Sequence, residues 1–343
     1  MATIKEIARM TNVSPTTVAN VIHGRTSKVS KENVERIQKV LNEYNYVPKM
    51  GLESLTKGKT RLILVAIHTE MRYQQTPIED PFYGKITGIL EQAIRNAGYY
   101  MLLFVDNNID NIFKTALSWN VTGIITITFS YSNYLKLRSL TNCPVVGIDT
   151  YLNEPPFHPE EGYHIYLNDY RAGQMVADRL IQYGFRNITL ITDAKIGSSY
   201  DRMEGAKKII TSHGLSFHNL FLDRKKQHHI SQLTSLFPLA GKEYALFCTC
   251  DQIAFEVIGF LEEHGYHVPD DFSVCGFDNN PFAEFSVPKL TTVHQDIAEK
   301  AFLAAKMLFS LIRKEPIEET LIELPVELVI RKSLLPLYTS DSE

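Results

Sequence analysis

The sequence predicts an α/β protein in which a short all-helical N-terminal segment precedes two doubly wound, parallel-sheet lobes. Residues 4–46 show three short helical patterns and no strand pattern. From residue 61 onward, apolar runs typical of strands alternate with helical stretches, which favours parallel sheets. This alternating part is about 280 residues long, more than one sheet comfortably holds, so two lobes are expected.

The all-helical segment is predicted from helix starts and apolar spacing. In Ile4–Met10 the apolar residues fall on one helical face. Ser14 is a good N-cap for a second helix, Pro15–Ile22, because proline is favoured in the first turn. Ser30 is the corresponding N-cap of a third helix over residues 31–44, which also has an apolar face.

From residue 61 onward, strands are predicted from continuous apolar runs, which are typical of strands buried on both faces of a parallel sheet. The predicted strands are 62–67, 101–105, 123–127, 145–148, 164–167, 188–192, 245–248 and 272–277. The predicted helices are 82–97, 170–183, 201–213, 251–264 and 296–313.

Charge is divided unevenly along the chain. The 343 residues carry a formal net charge of −4. Residues 1–59 nevertheless contain ten Lys and Arg against five Asp and Glu, whereas the remainder contains 25 against 34. A basic segment on an acidic body is expected when only that segment meets phosphate groups, although a solvated basic face is the alternative.

Missing motifs argue against several other classes of protein. The four cysteines lack zinc-site spacing, so we expect reduced thiols and no metal. The sequence has no G-x-S-x-G, P-loop or G-x-G-x-x-G motif, so we expect neither an enzyme nor a cofactor. It also has no signal peptide and no apolar run of ~18 residues, so we expect a cytoplasmic protein without membrane contact.

Several sequence blocks, in order along the chain, carry a resemblance to a known family. They are TIKEIARMTNVSPTTVANVIHG, VSKENVERIQKVLNEYNYVP, DRMEGAKK, CDQIAFEVIGFLEEHG, VPDDFSVCGFDN and PKLTTVHQD. Over essentially its whole length, the chain resembles the lactose/galactose/purine repressor family of bacterial transcription regulators. The resemblance implies a helix-turn-helix DNA-binding domain at 1–48, a hinge helix or linker at 49–60, and an effector-binding, dimerising core of periplasmic-binding-protein type at 61–343.

The core is expected to form two lobes between which the chain passes repeatedly. The N-lobe is expected at about 61–162 and 294–322, and the C-lobe at about 163–293 and 323–340. No heptad segment follows the core, so a homodimer is expected rather than a tetramer.

The second predicted helix is the expected DNA-reading element, because this helix of a helix-turn-helix enters the major groove. The family's base-reading positions match Pro15, Thr16 and Asn20. Asn20 can bond two edge atoms of adenine, whereas Pro15 departs from relatives with a polar residue and offers only apolar contact. The alternative is that Thr16 and Asn20 are ordinary exposed surface. The expected phosphate contacts are Thr3, Lys5, Thr17, His23 and Lys31.

The predicted hinge contains an apolar residue that stands out in a polar linker. Leu55 matches the family's hinge leucine, which wedges into the minor groove, and the alternative is that it covers the core. Gly51 and Glu53 depart from the commoner alanine-rich hinge. Glycine costs about 1 kcal/mol of helix propensity, and a carboxylate is unfavourable near phosphate. We therefore expect this hinge to order less readily than in better-known relatives.

A cleft between the lobes is the expected effector site, since a polar ligand needs polar groups on both walls. The resemblance implies that Arg202 binds ligand oxygens and that Asp278 takes ligand hydroxyls or amines. At the effector position Cys250 this chain lacks the family's frequent asparagine, which weighs against a plain sugar. The alternative is that Arg202 and Asp278 form a structural ion pair across the cleft. The other implied effector contacts are His68, Phe82, Tyr83, Asp149, Asn168, Asp169 and Gln295.

These features predict a dimeric repressor of a sugar or small-metabolite utilisation operon. It would bind a pseudo-palindromic double-stranded DNA operator, with a sugar or related metabolite controlling operator affinity. A transport solute-binding protein, an α/β enzyme using Asp149, Arg202 and Asp278, and an activator stay open as alternatives. Whether the effector is an inducer or a corepressor also stays open.

Overall fold

The computed structural model describes residues 3–22, 24–44, 46, 60–68, 76–223 and 228–337. The chain divides into two compact units, a head unit, Met1–Thr60, and a core unit, Arg61–Glu343. Among the described residues, no helix has the length and apolar character needed to cross a membrane.

The head unit consists of three helices around a small apolar core. They are α1 (Ile4–Met10), α2 (Pro15–Ile22) and α3 (Lys31–Glu43), with a 3₁₀ turn at Thr26–Lys28. The first two helices have the predicted bounds, and the third ends one residue early because Tyr44 adopts a capping conformation. The buried side chains that hold the helices together are Ile7, Ala8, Val18, Val21 and Ile37.

Side-chain caps determine where these helices begin. The Thr3 hydroxyl oxygen accepts the N–H of Glu6 at 3.3 Å, while Glu6 Oε2 accepts the N–H of Thr3 at 2.7 Å. Ser14 Oγ accepts the N–H of Thr17 at 3.1 Å, and Ser30 caps α3 in the same way. Each cap satisfies backbone donors that the first helical turn leaves without a partner.

The core unit contains twelve strands in the part of the chain that the structure describes. They are β1 (Leu62–His68), β2 (Tyr100–Asp106), β3 (Gly123–Ile127), β4 (Val145–Ile148), β5 (His164–Tyr166), β6 (Asn187–Thr192), β7 (His218–Phe221), β8 (Tyr244–Cys248), β9 (Ser273–Asp278), β10 (Thr291–Gln295), β11 (Leu321–Glu323) and β12 (Val326–Val329).

The helices of the core unit lie between these strands. They are α4 (Pro81–Asn96), α5 (Ile109–Ser118), α6 (Tyr131–Leu140), α7 (Asp169–Gln182), α8 (Ser198–Ser212), α9 (His229–Leu233), α10 (Asp251–Glu263), α11 (Pro281–Phe285) and α12 (Ile297–Arg313). Two 3₁₀ segments, Pro77–Glu79 and Thr234–Leu239, complete the regular structure of the described residues.

The strands form two six-stranded sheets with equivalent strand order. The first sheet runs β11-β5-β4-β3-β1-β2, and the second runs β12-β10-β9-β8-β6-β7. Neighbouring strands are parallel except for β10 and β12, which are antiparallel. We call the part built on the first sheet the N-lobe and the part built on the second sheet the C-lobe. The predicted α/β fold with two doubly wound lobes is confirmed.

The chain first passes between the sheets a few residues later than predicted. The C-lobe was expected to begin at 163, but β5 lies in the first sheet, where His164 pairs with Gly147. A β-carbon at Gly147 would lie 2.5 Å from His164 Nδ1, so glycine makes room for the buried ring. The other two boundaries, predicted at about 294 and about 323, lie within two residues of the strand ends, since β10 ends in the second sheet at Gln295 and β11 ends in the first at Glu323.

Two C-lobe helices approach each other closely at glycines. A β-carbon at Gly173 of α7 would lie 2.0 Å from the carbonyl oxygen of Arg202, and one at Gly205 of α8 would lie 1.9 Å from the carbonyl oxygen of Tyr170. Both distances are far shorter than a non-bonded contact. The absence of two β-carbons therefore lets α8 bring Arg202 against the start of α7.

Replacing Gly173 with alanine should force α7 and α8 apart and lower the free energy of unfolding by about 1–3 kcal/mol. The measurement is urea denaturation of the purified protein. The control is Gly88→Ala in α4, where an added β-carbon meets no atom within 4 Å. That change should raise the free energy of unfolding by roughly 0.5–1 kcal/mol. Equal unfolding midpoints for the two variants would contradict the close approach.

Candidate functional site

Helix α2 presents an apolar face to the head core and a polar face to solvent. Val18 and Val21 are buried, whereas Pro15 and Thr16 are exposed and Asn20 is partly exposed. Thr16 and Asn20 are four residues apart, so their side chains lie on the same face, about one turn from each other. Both side chains can therefore contact a surface that lies against this face of α2.

The predicted phosphate-contact residues have different environments. Lys5 and Lys31 are exposed. Thr3 is exposed, but its hydroxyl lies 2.9 Å from Glu6 Oε2 in the cap of α1. Thr17 is partly buried, with its hydroxyl 2.9 Å from Ser14 Oγ. Outside the described residues lie the predicted contacts His23 and Leu55 and the hinge residues Gly51 and Glu53.

Several predicted effector residues lie where strands end. His68 ends β1, Asp149 follows β4, Asp278 ends β9 and Gln295 ends β10. The carboxyl ends of parallel strands meet at one edge of a sheet, and α/β proteins bind ligands at that edge. These positions bring polar side chains of both sheets into the same region of the core unit.

Arg202, in the first turns of α8, anchors the C-lobe half of a buried polar cluster. Its Nε donates to Asp169 Oδ1 at 2.7 Å, and its Nη1 donates to the carbonyl oxygen of Thr249 at 2.7 Å. Nη1 also lies 3.8 Å from Asp278 Oδ1, and the guanidinium carbon lies 3.5 Å from the centre of the Phe277 ring. Burial lowers the pKa of Arg202, but the two aspartates outweigh it and raise that pKa overall.

A buried lysine connects this half to the N-lobe. Lys300 Nζ donates to Asp149 Oδ1 at 2.8 Å, to Asp149 Oδ2 at 2.7 Å and to Gln295 Oε1 at 2.8 Å. Gln295 Nε2 then donates to Asp278 Oδ1 at 2.6 Å. Because Lys300 and Asp149 belong to the N-lobe and Gln295 and Asp278 to the C-lobe, a continuous chain of hydrogen bonds crosses between the lobes.

The sequence analysis did not select Lys300, although this side chain is 0% exposed. A signal for it exists. Lys300 follows Ile297 by three residues and precedes Ala304 by four, so it occupies the apolar face of α12, where a charge is unexpected. Thr249 has no comparable signal, because it contributes a backbone oxygen, which every residue has.

The two predicted aromatic residues, Phe82 and Tyr83, lie in different environments. The rings of Phe82 and Tyr83 meet edge to face with their centres 5.2 Å apart. The centre of the Phe82 ring lies 5.5 Å from Lys300 Nζ, so Phe82 belongs to the polar cluster. The Tyr83 hydroxyl lies 3.1 Å from Thr128 Oγ1 in the N-lobe.

Three other predicted effector residues have local contacts. His68 Nε2 lies 3.1 Å from the carbonyl oxygen of Asn107. Asn168 Oδ1 accepts the N–H of Arg171 at 3.0 Å and so caps α7. Cys250 is buried in an apolar cluster of the C-lobe at the start of α10. These contacts of His68, Asn168 and Cys250 serve the local structure, whereas those of Arg202, Asp278 and Gln295 join one network.

Two of the cluster's aspartates have an uncommon backbone conformation. Asp149 has φ 48° and Asp278 has φ 119°, both in the positive range that non-glycine residues rarely adopt. Each directly follows or ends a strand, where the chain turns away from the sheet. Such strain is characteristic of functional sites, where the surrounding structure holds a residue in place.

Two further buried acids near the cluster have raised pKa values. Burial, followed by the charge of Asp169, raises the pKa of Asp201 to about 9. Burial, followed by the charge of Asp278, raises the pKa of Asp251 to about 8. Burial therefore favours the protonated form of both side chains. The Asp251 oxygens also accept the N–H of Asn280 and the hydroxyl of Thr292.

Comparison with known proteins gives two family matches. Residues 3–49 match the family described as bacterial regulatory proteins, lacI family. Residues 177–334 match the periplasmic binding protein-like domain. The first match covers the helices of the head unit, and the second covers most of the C-lobe together with α12.

Individual relatives resemble nearly the whole chain. The HTH-type transcriptional repressor PurR of Mannheimia succiniciproducens is 28% identical over 97% of this chain and 99% of its own length. The lac repressor dimer bound to operator and the anti-inducer ONPF shares the fold, with a TM-score of 0.82, 20% identity, and coverage of 97% of this chain and 99% of that chain.

The transcriptional regulator CelR in complex with cellobiose also shares the fold, with a TM-score of 0.67, 20% identity, and coverage of 97% of this chain and 100% of that chain. The head match, the core match and the full-length likeness to PurR fall in the order that the sequence blocks predict. The chain therefore belongs to the LacI family of bacterial regulatory proteins, whose members are transcription regulators.

Proposed function

We propose that this protein is a cytoplasmic transcription repressor whose affinity for an operator is set by a small polar ligand in the cleft between the lobes. The observation that carries the proposal is helix α2 of a lacI-family head, with Thr16 and Asn20 on its outer face. An amide at this position can bond two edge atoms of adenine in the major groove. Exposed Lys5 and Lys31 supply charge for the phosphate backbone.

The proposed assembly is a homodimer on a pseudo-palindromic operator. A single helix-turn-helix reads only a few base pairs, and two copies one helical turn apart read two half-sites. The lac repressor that shares this fold is a dimer bound to operator. The charge difference between residues 1–59 and the acidic remainder also favours DNA contact through the head unit alone.

The proposed effector contacts are Arg202 and Asp278, with Phe82 as an apolar wall. Arg202 and Asp278 are nearly buried, and their polar atoms can exchange present partners for ligand hydroxyls or amines. CelR, with the same fold, holds cellobiose. The ligand acts only through a difference in its affinity for two states of the protein.

A regulator is favoured over an enzyme because the ionisable groups of the cluster are paired with each other. Arg202 is bound to Asp169, and Lys300 is bound to Asp149. A catalytic acid or base needs a proton-transfer partner on the substrate and a pKa suited to that transfer. The described residues contain no group of three His, Cys, Asp or Glu arranged to hold a metal ion, and the proposal assigns neither a metal nor a cofactor.

Replacing Asn20 with alanine should weaken operator binding about 5- to 150-fold, because one bidentate base contact is worth about 1–3 kcal/mol. The operator is first selected from random duplexes with the wild-type protein, and affinity is then measured by fluorescence anisotropy at fixed salt. Asn42→Ala, an exposed asparagine on α3, is the matched control and should bind as wild type does. Equal affinity for Asn20→Ala and wild type would remove Asn20 from base reading.

Replacing Lys5 with alanine should weaken binding to the selected operator and to random DNA by the same factor. A phosphate contact carries no sequence information but releases a counterion. The slope of log affinity against log salt should therefore become shallower by about 1. Lys39→Ala removes an exposed charge from α3 and serves as the control. An unchanged slope for Lys5→Ala would rule out the phosphate contact.

Replacing Asp278 with asparagine should weaken effector binding about tenfold or more, because hydrogen bonds to a charged group are strong. Effectors are first found by a thermal-shift screen of sugars, sugar phosphates, nucleosides and purines with the full chain. Each hit is then tested for its effect on operator affinity, which also gives the direction of control. Glu318→Gln, at an exposed carboxylate, is the control. A compound that binds Asp278→Asn and Glu318→Gln with equal affinity does not contact Asp278.

A further inference from the structure

Lys300, in the buried polar cluster between the lobes, is more deeply buried than a charge normally is. Lys300 is 0% exposed and lies on the apolar face of α12 beside Ile297 and Ala301. Taking an ammonium group out of water costs several kcal/mol unless it is paired and fully hydrogen-bonded. Whatever surrounds Lys300 Nζ must therefore bind a cation well.

The surroundings of Lys300 Nζ meet this requirement. Asp149 Oδ1, Asp149 Oδ2 and Gln295 Oε1 all lie within 2.8 Å of the nitrogen. An ammonium group has three protons to donate, and three oxygen acceptors are present. The Phe82 ring, with its centre at 5.5 Å, adds the negative face of an aromatic ring. A carboxylate, an amide oxygen and an aromatic face are together typical of sites that bind alkylammonium groups.

We propose that Asp149, the Gln295 side-chain oxygen and the face of Phe82 form an alkylammonium subsite in the cleft, and that Lys300 occupies it as a ligand tethered to the protein's own chain. Both oxygens of Asp149 are engaged by this ammonium. Each Asp149 oxygen keeps a second lone pair, so this ion pair holds the carboxylate in place without excluding a further hydrogen bond from the effector.

The same arrangement restricts the charge of the effector. Lys300 is neutralised by Asp149, and Arg202 by Asp169 and Asp278. The cluster has three carboxylates against two cations, so a phosphorylated ligand would add negative charge to a region that already has an excess. Neutral or cationic polar ligands fit this balance. The subsite itself is a property of the core unit, whereas this consequence for the effector rests on the proposed function.

A purely structural ion pair is the competing explanation, and it makes a different prediction. If Lys300 only fills space and balances charge, its replacement would lower the stability of the folded protein without creating a binding site. If the surrounding groups form a subsite, removing the tether should leave a vacancy that a free alkylammonium ion of the same size can fill. Binding of that ion to the folded state would then stabilise the protein.

The test is chemical rescue of Lys300→Ala in the full chain. The atoms removed beyond the β-carbon are three carbons and one nitrogen, so n-propylammonium chloride is the matched probe. It should raise the thermal unfolding midpoint of Lys300→Ala in a saturable way, by roughly 2–4 °C. Sodium chloride at equal ionic strength and 1-propanol, which has the same number of heavy atoms but no charge, should have no such effect.

Three control proteins separate the vacancy from other effects. The wild type should not respond, because Lys300 already fills the subsite. Lys300→Met should not respond either, because it loses the charge but keeps the space filled. The double variant Asp149→Asn, Lys300→Ala should lose the rescue because the carboxylate is gone. A saturable response that survives this double variant would overturn the assignment of Asp149.

The proposal is also overturned if n-propylammonium and sodium chloride act equally on Lys300→Ala. If Lys300→Ala is insoluble, its thermal unfolding midpoint cannot be measured. The variant is then unfolded in urea and diluted into each salt, and the yield of soluble protein is compared instead. A higher yield in n-propylammonium is expected, and equal yields, including none, overturn the proposal. Operator binding by the wild type plays no part in this experiment, so its failure is distinct from a failure of the proposed function.

Discussion

A charge removed from water needs an opposite charge or hydrogen-bond partners beside it, and this constraint organises the buried polar cluster between the two lobes. Arg202 and Lys300 are both almost inaccessible to solvent, and each is held by carboxylates at hydrogen-bonding distance. Removing one partner of such a pair leaves an uncompensated charge, which is far more costly than losing an exposed ion pair. The positions of Asp149, Asp169 and Asp278 are therefore tied to those of the two cations.

The topology explains why these groups can meet. Two sheets of equivalent strand order present the carboxyl ends of their strands to a shared region, and the chain passes between the sheets next to Gln295. Asp149 and Asp278 turn away from their strands with positive φ, which aims each carboxylate at its partner. The close approach of α7 and α8 at Gly173 fixes Arg202 beside Asp169. Backbone geometry and charge pairing thus support the same arrangement.

Much of this fold could be predicted from the sequence, because its elements carry strong local signals. The helices of the head unit and the central strands were predicted with nearly their observed bounds. The strands β7, β10, β11 and β12 were missed because they are short or lack a clear apolar pattern. The sheet to which β5 belongs was wrongly predicted because it depends on the pairing of β5 with Gly147 and not on the residues of β5 itself. Lys300 was missed although a charge on an apolar helical face is unexpected, and its ion-pair partner Asp149 lies 151 residues away in the sequence.

The network also gives the effector a physical route to act, because one member belongs to both halves. Gln295 accepts from Lys300 of the N-lobe and donates to Asp278 of the C-lobe. A ligand that takes over the Asp278 oxygen must displace the Gln295 amide, and Gln295 cannot move without disturbing its bond to Lys300. In the proposed function, the free energy of ligand binding is therefore coupled to the contact between the lobes, and a ligand bound equally well with that contact formed or broken would regulate nothing.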